Sequence, residues 1–359
     1  MVNAVGNGHN RRAPDYVTEV DAFKVKLHDR DRSDASTHIP QIYQDEIVKL
    51  RRNPDVAPDA LLRLIPKYDA MRTSMYRQRH KTVPRLPQTL QDIDLQDQWT
   101  RTEAGERFLH RLEGQSPIFI FTTDQNLELL SDADVLFADG TFSTCPRLFD
   151  QIYSIHAEFQ GHMLPLVYGL MSDRTEDSYT RMFTYLKQTS ANLGHQLVPT
   201  TFQMDFERAS HNAVAVVFPG TQRRGCFFHY TQCIWRRVQK IGLATEYKHD
   251  EDVTKLVRRA AALPLVPEDK VEDVWVDAIG NAPQGEKATQ LMDLVTSTWI
   301  EGSWPLSMWN HFGNDGHRTN NNLEGWHHKI NKFAKKTHPN IYELVRLIQK
   351  EQSVAEVKI

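Results

Sequence analysis

The 359-residue sequence predicts an α/β protein built on a mixed sheet with flanking helices. Three observations support this fold class: short β-rich runs lie close together from about residue 117, an amphipathic helix follows them, and further strands then alternate with helices. The predicted order β-β-β-α-β-α-β is typical of a mixed α/β sheet. From residue 231 to about 320 the strand character is lost, which predicts a helical insertion before the last helices.

The chain divides into three predicted regions. Residues 1–38 are polar and interrupted by Gly, Pro and Asp, which predicts a flexible lead-in. Residues 39–95 predict helices that end in an extended linker at 84–95, and we place a domain boundary near this linker. Residues 96–359 form the second domain, which contains the sheet, the insertion at about 231–320 and two closing helices.

The helix after the first strands has the clearest periodicity. Tyr179, Met182, Phe183 and Leu186 recur at i, i+3, i+4 and i+7, so that one face is apolar. A shorter helix, RASHNAVAVVF, is expected later in the chain. Runs rich in β-branched and aromatic residues flank these helices and have strand character: PIFIFTT, DVLFADGTFS, DQIYSIHAEF, GHMLPLVYGLMS, PTTFQMDFE and TQRRGCFFHY.

Composition excludes several classes of protein. Hydrophobic residues make up 40% and charged residues 25% of the chain, which is the balance of a folded globular protein. No run approaches 18 consecutive apolar residues and the N-terminus lacks the apolar core of a signal peptide, so we expect neither a membrane span nor secretion. The three cysteines, Cys145, Cys226 and Cys233, cannot form a disulfide framework and favour a reducing compartment.

The formal net charge of −3 hides a strong segregation of charge. The windows 72–85, 223–240 and 329–336 contain no acidic residue and hold 14 of the 43 Lys and Arg residues, which leaves 29 against 46 Asp and Glu, a net of −17, elsewhere. Each window fits a solvated face or a surface that contacts nucleic-acid phosphates. The candidate DNA-binding residues are Arg77, Arg79, Lys81, Arg223, Arg224, Arg236, Arg237, Lys329 and Lys332.

Three acidic residues stand at the predicted ends of elements. Asp139 follows the apolar run VLFA and precedes Gly140, which fits either a turn or a functional carboxylate. Asp205 lies in TFQMDFE, where an ionised carboxylate among apolar neighbours is costly unless it is paired or bound to a metal. Glu324 either completes a capping box with Asn321 or serves the same site as the two aspartates.

Carboxylates that come from two neighbouring strands and a later helix can converge on a pair of metal ions. Mg²⁺ and Mn²⁺ prefer oxygen ligands and keep open positions for water and phosphate. In a two-metal displacement at phosphorus, one ion activates the attacking water or 3′-hydroxyl and the other stabilises the leaving oxygen. We therefore predict a Mg²⁺ or Mn²⁺ site at Asp139, Asp205 and Glu324.

The motifs around these residues resemble, in order and spacing, the Mutator-like (MULE) family of DDE transposases. The resemblance runs from about residue 132 to 340 and rests on VLFADGTF, YSIHAEFQGHMLPLVYGLMSDRTEDSYTRMF, FQMDFERA, CFFHYTQCIWRRV and RTNNNLEGWHHKINK. It implies a ribonuclease-H-like core in which Asp139, Asp205 and Glu324 are the catalytic metal-binding triad. Glu207, which follows Asp205 at a spacing of two, is an auxiliary candidate.

The resemblance also implies an activity and partners. Such an enzyme cleaves and joins DNA strands in cut-and-paste transposition, and its substrates are double-stranded terminal inverted repeats and target DNA. A homo-oligomer is expected because two element ends must be joined, and the nucleus is the expected compartment.

A family motif places Cys226 and His229 close after the second aspartate. Zinc needs four ligands, and this Cys-x-x-His pair supplies two, so we expect no zinc unless Cys233, His327 or His328 completes the set. The alternatives are a small core cysteine and a histidine that supports the active site. His327 and His328 follow Glu324 by three and four residues, so at least one lies near its helix face, either as active-site support or as an ordinary exposed side chain.

Two departures from the family leave a second function open. Relatives carry an upstream FLYWCH-type zinc finger that ends in paired histidines, whereas GHNRRAPD keeps His9 but has Arg11 at the second position. This indicates an absent or truncated finger, and the chain also ends soon after Glu324. The alternative function is a catalytically silent, domesticated DNA-binding or regulatory protein, although retention of all three acids favours the enzyme. A ribonuclease-H-like nuclease acting on RNA–DNA hybrids is a third interpretation.

Overall fold

The computed structural model describes residues 16–34, 37–52, 64–81, 84–314, 316–334 and 336–359, and these fall into two compact units. The first unit ends at Gln88, inside the predicted linker at 84–95, and also includes Asn340–Arg346. The second unit comprises Thr89–Pro339 and Leu347–Ile359. Residues 340–346, predicted as part of the C-terminal domain, therefore group with the first unit.

The first unit is helical. Its described helices are α1 (Tyr16–Ser33), α2 (Ile39–Arg51) and α3 (Tyr68–Arg79). The predicted flexible lead-in at 1–38 is therefore wrong over α1, where Val20, Phe23 and Leu27 are buried. Their i, i+3, i+7 spacing forms a narrow apolar stripe within an otherwise polar segment, and tertiary packing is sufficient to fix the helix. The candidate finger remnant with His9 and Arg11 lies outside the described residues.

The second unit is built on one mixed sheet of seven strands in the order β1-β2-β5-β4-β3-β6-β7. Strands β3, β4 and β5 pair antiparallel, whereas β6 and β7 continue from β3 in parallel. The α/β prediction is confirmed, and this mixed sheet is consistent with the ribonuclease-H-like fold that the resemblance implies. The strands are β1 (Leu109–Leu112), β2 (Ile118–Phe121), β3 (Val135–Thr141), β4 (Gln151–Phe159), β5 (His162–Met171), β6 (Thr201–Met204) and β7 (Gln222–Gly225).

Two local features fix the order of the central strands. The β4–β5 hairpin turns through Gln160 and Gly161, which both have positive φ, 49° and 77°. This is the conformation that a two-residue hairpin turn requires, and glycine adopts it without steric cost. The β3–β6 pair is parallel with Phe137 opposite Gln203, so the chains that leave these strands emerge at the same edge of the sheet.

Helices cover the sheet and form most of the chain after β7. The predicted strand TQRRGCFFHY is wrong beyond Gly225, because Phe227 begins a helix whose Tyr230, Ile234 and Val238 are buried at i, i+4 and i+8. No helix in the described ranges is long and apolar enough to cross a membrane. The helices of this unit are α4 (Asp124–Asp132), α5 (Glu176–Asn192), α6 (Arg208–Val217), α7 (Phe227–Lys240), α8 (Glu246–His249), α9 (Glu251–Ala262), α10 (Val271–Gly280), α11 (Glu286–Val295), α12 (Leu306–Trp309), α13 (Asn321–Ala334) and α14 (Ile341–Glu356), whose first residues belong to the other unit.

The helical insertion has its own aromatic core. Tyr230 stacks on Trp309 with ring centroids 5.5 Å apart, and Trp299 and Trp275 are buried in the same cluster. Buried His311 joins this core to the sheet, because its Nε2 donates a hydrogen bond to the carbonyl of Gly225 at the end of β7 (2.9 Å). Burial lowers the pKa of His311 to about 4.

His311 is predicted to make the fold sensitive to acid. The unfolded chain binds a proton at His311 near pH 6.5 and the folded chain only near pH 4, so the free energy of unfolding falls as the pH drops through this window, by at most about 3 kcal/mol from this group. We expect His311→Gln to show a shallower decline between pH 6.5 and 4 in urea unfolding. The exposed His328→Gln serves as control, and parallel curves for His311→Gln and the wild type would contradict the assignment.

Candidate metal centre

Asp139 lies on β3, near the carboxyl end of the strand, in the centre of the sheet. Its side chain is 5% exposed, and its Oδ1 accepts a hydrogen bond from the backbone N–H of Gly140 (2.9 Å). Gly140 lies directly against the side chain of Gln151 on β4, and a Cβ at this position would collide with it. The glycine after the first aspartate therefore gives room to a neighbouring strand.

Asp205 follows the last residue of β6, the parallel neighbour of β3. The last paired residues of these parallel strands are Phe137 and Gln203, and Asp139 and Asp205 each lie two residues further along the chain, near enough for the charge of Asp205 to add to the rise in the pKa that burial causes at Asp139. In the part of the chain that the structure describes, Oδ1 of Asp205 is buried without a hydrogen-bond partner. The backbone carbonyl of Asp205 is held by Nε2 of His211 (2.7 Å).

Glu324 lies in the first turn of α13. The capping-box alternative is wrong, because Asn321 is already helical and the N–H of Glu324 donates to the carbonyl of Asn320, four residues earlier (2.9 Å). The Asn320 side chain instead points into the protein, where Nδ2 donates to the carbonyl of Ala138 and Oδ1 accepts from Gln203 (both 3.1 Å). These bonds hold the start of α13 over β3 and β6.

Asp139, Glu324 and His229 form a compact group of ligand atoms. One ligand atom from each of these three residues lies within 4.8 Å of those of the other two. Nε2 of His229 is 3.9 Å from Oε1 of Glu324, and the side chains of His229 and Glu324 are 23% and 31% exposed. Among the described residues this group does not include Asp205, so the tertiary structure places an imidazole where the sequence predicted three carboxylates.

Burial and neighbouring negative charges disfavour the ionised forms of the carboxylates in this region. Burial raises the pKa of Asp139 well above its usual range, and the charges of Asp205, Glu324 and Glu207 add to the rise. Burial and the neighbouring Glu207 raise the pKa of Asp205 to about 6. Like charges and desolvation both disfavour ionised carboxylates, so a bound cation would relieve the same effects that raise these pKa values.

The two histidines of α13 have different positions. His327 is buried beside Asp139, with Nδ1 3.7 Å from Oδ2 of the carboxylate, and burial lowers its pKa to about 4. Behind it, Ser154 bonds to buried His156 (3.0 Å) and lies 3.5 Å from Nε2 of His327. His328 is exposed and outside the group. The structure therefore brings His327, and not His328, to the site.

Cys226 packs below the site. It precedes α7, is fully buried, and its Sγ accepts a hydrogen bond from the backbone N–H of Asn320 (3.1 Å). Burial raises the pKa of this thiol to about 11, so it is protonated in the metal-free protein. Of the predicted Cys-x-x-His pair, His229 is in the ligand group and Cys226 holds the start of α13.

Sequence reasoning missed the residues that surround the carboxylates. Glu207, predicted as an auxiliary, accepts a hydrogen bond from the hydroxyl of Tyr179 (2.8 Å), which in turn accepts one from Gln151. Burial raises the pKa values of Asp205 and Glu207, and the charge of Arg174, which pairs with Asp150 (2.9 Å), offsets part of the rise at both. Tyr179 was recognised only as part of a helix stripe, and no sequence spacing links Arg174 to this site.

The predicted DNA-binding residues divide into exposed and internally bonded side chains. Arg79 is only 13% exposed, lies 3.9 Å from buried Asp31 and donates to a backbone carbonyl, so its prediction as a DNA contact is wrong. Arg77, Lys81, Arg236 and Lys332 are exposed. The others are partly buried and bond within the protein: Arg223 to His211, Arg224 to Gln222, Arg237 to Gln290 and Lys329 to Glu351.

The residues of this centre fit a divalent cation. Carboxylates of Asp139 and Glu324 together with a neutral imidazole supply hard and borderline donors, and burial lowers the pKa of His229 to about 4, which keeps it in the binding form. The unpaired Oδ1 of Asp205 provides a further oxygen at the same sheet edge.

A comparison with protein families identifies the central part of this unit. Residues 135–233, from β3 into α7, match the family described as MULE transposase domain. This range contains Asp139, Asp205 and His229, and Glu324 lies beyond it. A search of the curated proteins gives no match to the chain.

We expect Asp205→Asn to stabilise the metal-free protein. The pKa of Asp205 is raised in the folded protein, so the ionised carboxylate opposes folding. This cost is complete above about pH 6 and absent below pH 3.8, the pKa of the unfolded chain. At pH 7.5 the gain should be about 1 to 2 kcal/mol, after allowance for the partial exposure of Asp205, and it should vanish near pH 4. Urea unfolding in EDTA measures this difference.

The control for this prediction is Glu128→Gln, which removes an exposed carboxylate from the middle of α4. It should leave the free energy of unfolding unchanged within about 0.5 kcal/mol. A loss of stability in Asp205→Asn at pH 7.5 would mean that the carboxylate is held by favourable contacts, and the electrostatic description of the site would be wrong.

Proposed function

The chain carries a MULE transposase domain, and we propose that it is the catalytic core of a DNA transposase that cleaves and joins DNA strands with Mg²⁺ or Mn²⁺. One observation carries the proposal: Asp139 and Glu324, 185 positions apart, bring carboxylate oxygens into one ligand group at the edge where Asp205 also emerges. Two carboxylates that are distant in sequence and adjacent in space favour a metal centre over a chance surface cluster.

The side chains of the site have separate tasks in this proposal. Asp139 and Glu324 would hold a cation in the ligand group, and Asp205 would supply a further carboxylate at the neighbouring strand end. Bound Mg²⁺ or Mn²⁺ would supply an activated water or 3′-hydroxyl and stabilise the leaving oxygen of the scissile phosphate. Buried His327 lies beside the Asp139 carboxylate, with Nδ1 3.7 Å from Oδ2, and the Tyr179 hydroxyl holds Glu207 by a hydrogen bond.

Exposed cations flank this site on two helices. Arg236 follows His229 by seven residues on α7 and lowers the pKa of that histidine through its charge, so the two share a helix face. Lys332 follows Glu324 by eight residues on α13. We propose that Arg236 and Lys332 contact DNA phosphates on either side of the scissile bond.

The catalytic proposal predicts metal-dependent nicking. Supercoiled plasmid that carries the terminal inverted repeats of the encoding element should be nicked with Mg²⁺ or Mn²⁺ and not in EDTA. Asp205→Asn and Glu324→Gln should each lower the rate by at least about a hundredfold, because each removes a metal ligand. Glu128→Gln should retain the wild-type rate. Unchanged nicking by both ligand variants would reject the proposed site.

The DNA contacts are tested separately from catalysis by the salt dependence of binding. Replacement of Arg236 or Lys332 by Gln should weaken duplex binding and lower the slope of log K against log salt concentration by about 1 each. Lys255→Gln, an exposed lysine paired with Glu251 on α9, is the control. Steep salt-dependent binding without nicking in either metal would favour the domesticated, catalytically silent protein.

A further inference from the structure

His229 is held at the metal centre by the fold rather than by chance. It lies in the first turn of α7, which begins directly after Cys226. The backbone N–H of Cys226 donates to the carbonyl of Met204 at the end of β6 (2.7 Å). The backbone N–H of Phe227 donates to the carbonyl of Arg318 (3.0 Å), just before α13. The start of α7 is thus fixed to the strand that precedes Asp205 and to the segment that precedes the helix of Glu324.

The contacts of the His229 imidazole leave it able to bind a ligand. Nε2 lies 3.9 Å from Oε1 of Glu324, which is beyond hydrogen-bond distance. Nδ1 is buried and, within the described residues, has no hydrogen-bond partner. Nε2, the ring nitrogen on the Glu324 side, is not occupied by a hydrogen bond to that carboxylate, and it is the atom that a cation at this site would take.

The spacing suits a shared cation. Two donor atoms that are each about 2.1 Å from one ion lie about 3.0 Å apart as cis ligands and about 4.2 Å apart as trans ligands in octahedral geometry. The separation of Nε2 from Oε1, 3.9 Å, lies between these values, and the Asp139 carboxylate completes a triangle with sides within 4.8 Å. A small inward movement of the three side chains would bring all of them to one ion.

We infer that His229 is a metal ligand that completes, with Asp139 and Glu324, a mixed nitrogen and oxygen site. The inference rests on the proposed function only in taking the cation to be the one that serves strand cleavage. Mg²⁺ strongly prefers oxygen ligands, whereas Mn²⁺ accepts an imidazole more readily, so the site should favour Mn²⁺.

The surroundings of His229 limit its contribution to metal affinity. Imidazoles that bind metals usually donate the second ring N–H to a carbonyl or carboxylate, and Nδ1 of His229 has no such partner in the described chain. We therefore expect His229 to contribute about a tenfold gain in Mn²⁺ affinity, and less for Mg²⁺.

The experiment is Mn²⁺ binding to the full chain without DNA, followed by electron spin echo spectroscopy. Wild-type protein should bind Mn²⁺ with ¹⁴N modulation from a directly bound imidazole. In His229→Gln the modulation should disappear and Mn²⁺ should bind about tenfold more weakly, with a smaller change for Mg²⁺ measured by competition. Circular dichroism verifies that the variant is folded.

Two further variants identify the nitrogen donor. Exposed His328→Gln should retain both the modulation and the affinity. His327→Gln should retain the modulation, because His327 contacts Asp139 from the buried side. Loss of the modulation in His327→Gln with its persistence in His229→Gln would overturn the inference.

The outcomes separate the inference from the proposed function. Mn²⁺ bound without nitrogen modulation in a protein that nicks DNA would reject His229 as a ligand and leave the transposase proposal standing. Nitrogen-coordinated Mn²⁺ in a protein that never nicks DNA would support the ligand and count against the enzyme. No Mn²⁺ binding at all would overturn both.

Discussion

The buried side chain of Asn320 is the contact on which the metal centre depends. It bonds to β3 through the carbonyl of Ala138 and to β6 through Gln203, while its backbone N–H bonds to Cys226 ahead of α7. These partners precede it by 182, 117 and 94 positions. A single buried amide with all these bonds satisfied therefore places α13, and with it Glu324, over the sheet edge.

The same region closes the helical insertion beside the site. The hydrogen bond from Phe227 to Arg318 closes the insertion at its base, and its aromatic core around Tyr230 and Trp309 folds within the closed segment. His311 attaches that core to the end of β7. The chain can thus carry a segment of roughly ninety residues between the second aspartate and the glutamate without changing the distance between their elements.

Burial and like charge act in the same direction at this centre. Burial raises the pKa values of Asp139, Asp205, Glu207 and Glu324, and neighbouring carboxylates add to the rise at Asp139 and Asp205. The described protein places Arg174 near Asp205 and Glu207, while Oδ1 of Asp205 stays buried without a hydrogen-bond partner. Stability of the free protein is thereby lowered where a cation is proposed to bind, which is the usual relation between functional and stabilising arrangements. Exposed Arg236 and Lys332 lie outside this buried group, where their charges are available to phosphate.

The sequence by itself determined the local features of this protein. Apolar periodicity identified α5 and most of the strands, and Asp139 and Asp205 were found because carboxylates after buried runs are unusual. The sequence did not predict α1, because the narrow stripe of Val20, Phe23 and Leu27 is too weak a signal without its packing partners. It also did not predict the internal contacts of Arg79, whose charge is matched by Asp31 only in the folded unit.

Tertiary structure alone decided which of these residues meet. Glu324 looked like a helix cap because capping is a local interaction, whereas the bonds of Asn320 that exclude it reach across more than a hundred residues. His229 was a candidate on a motif, and its place beside Asp139 and Glu324 follows from the fixed start of α7. Sequence patterns report interactions between neighbours along the chain, and a metal centre is built from residues that only the packed sheet and helices bring together.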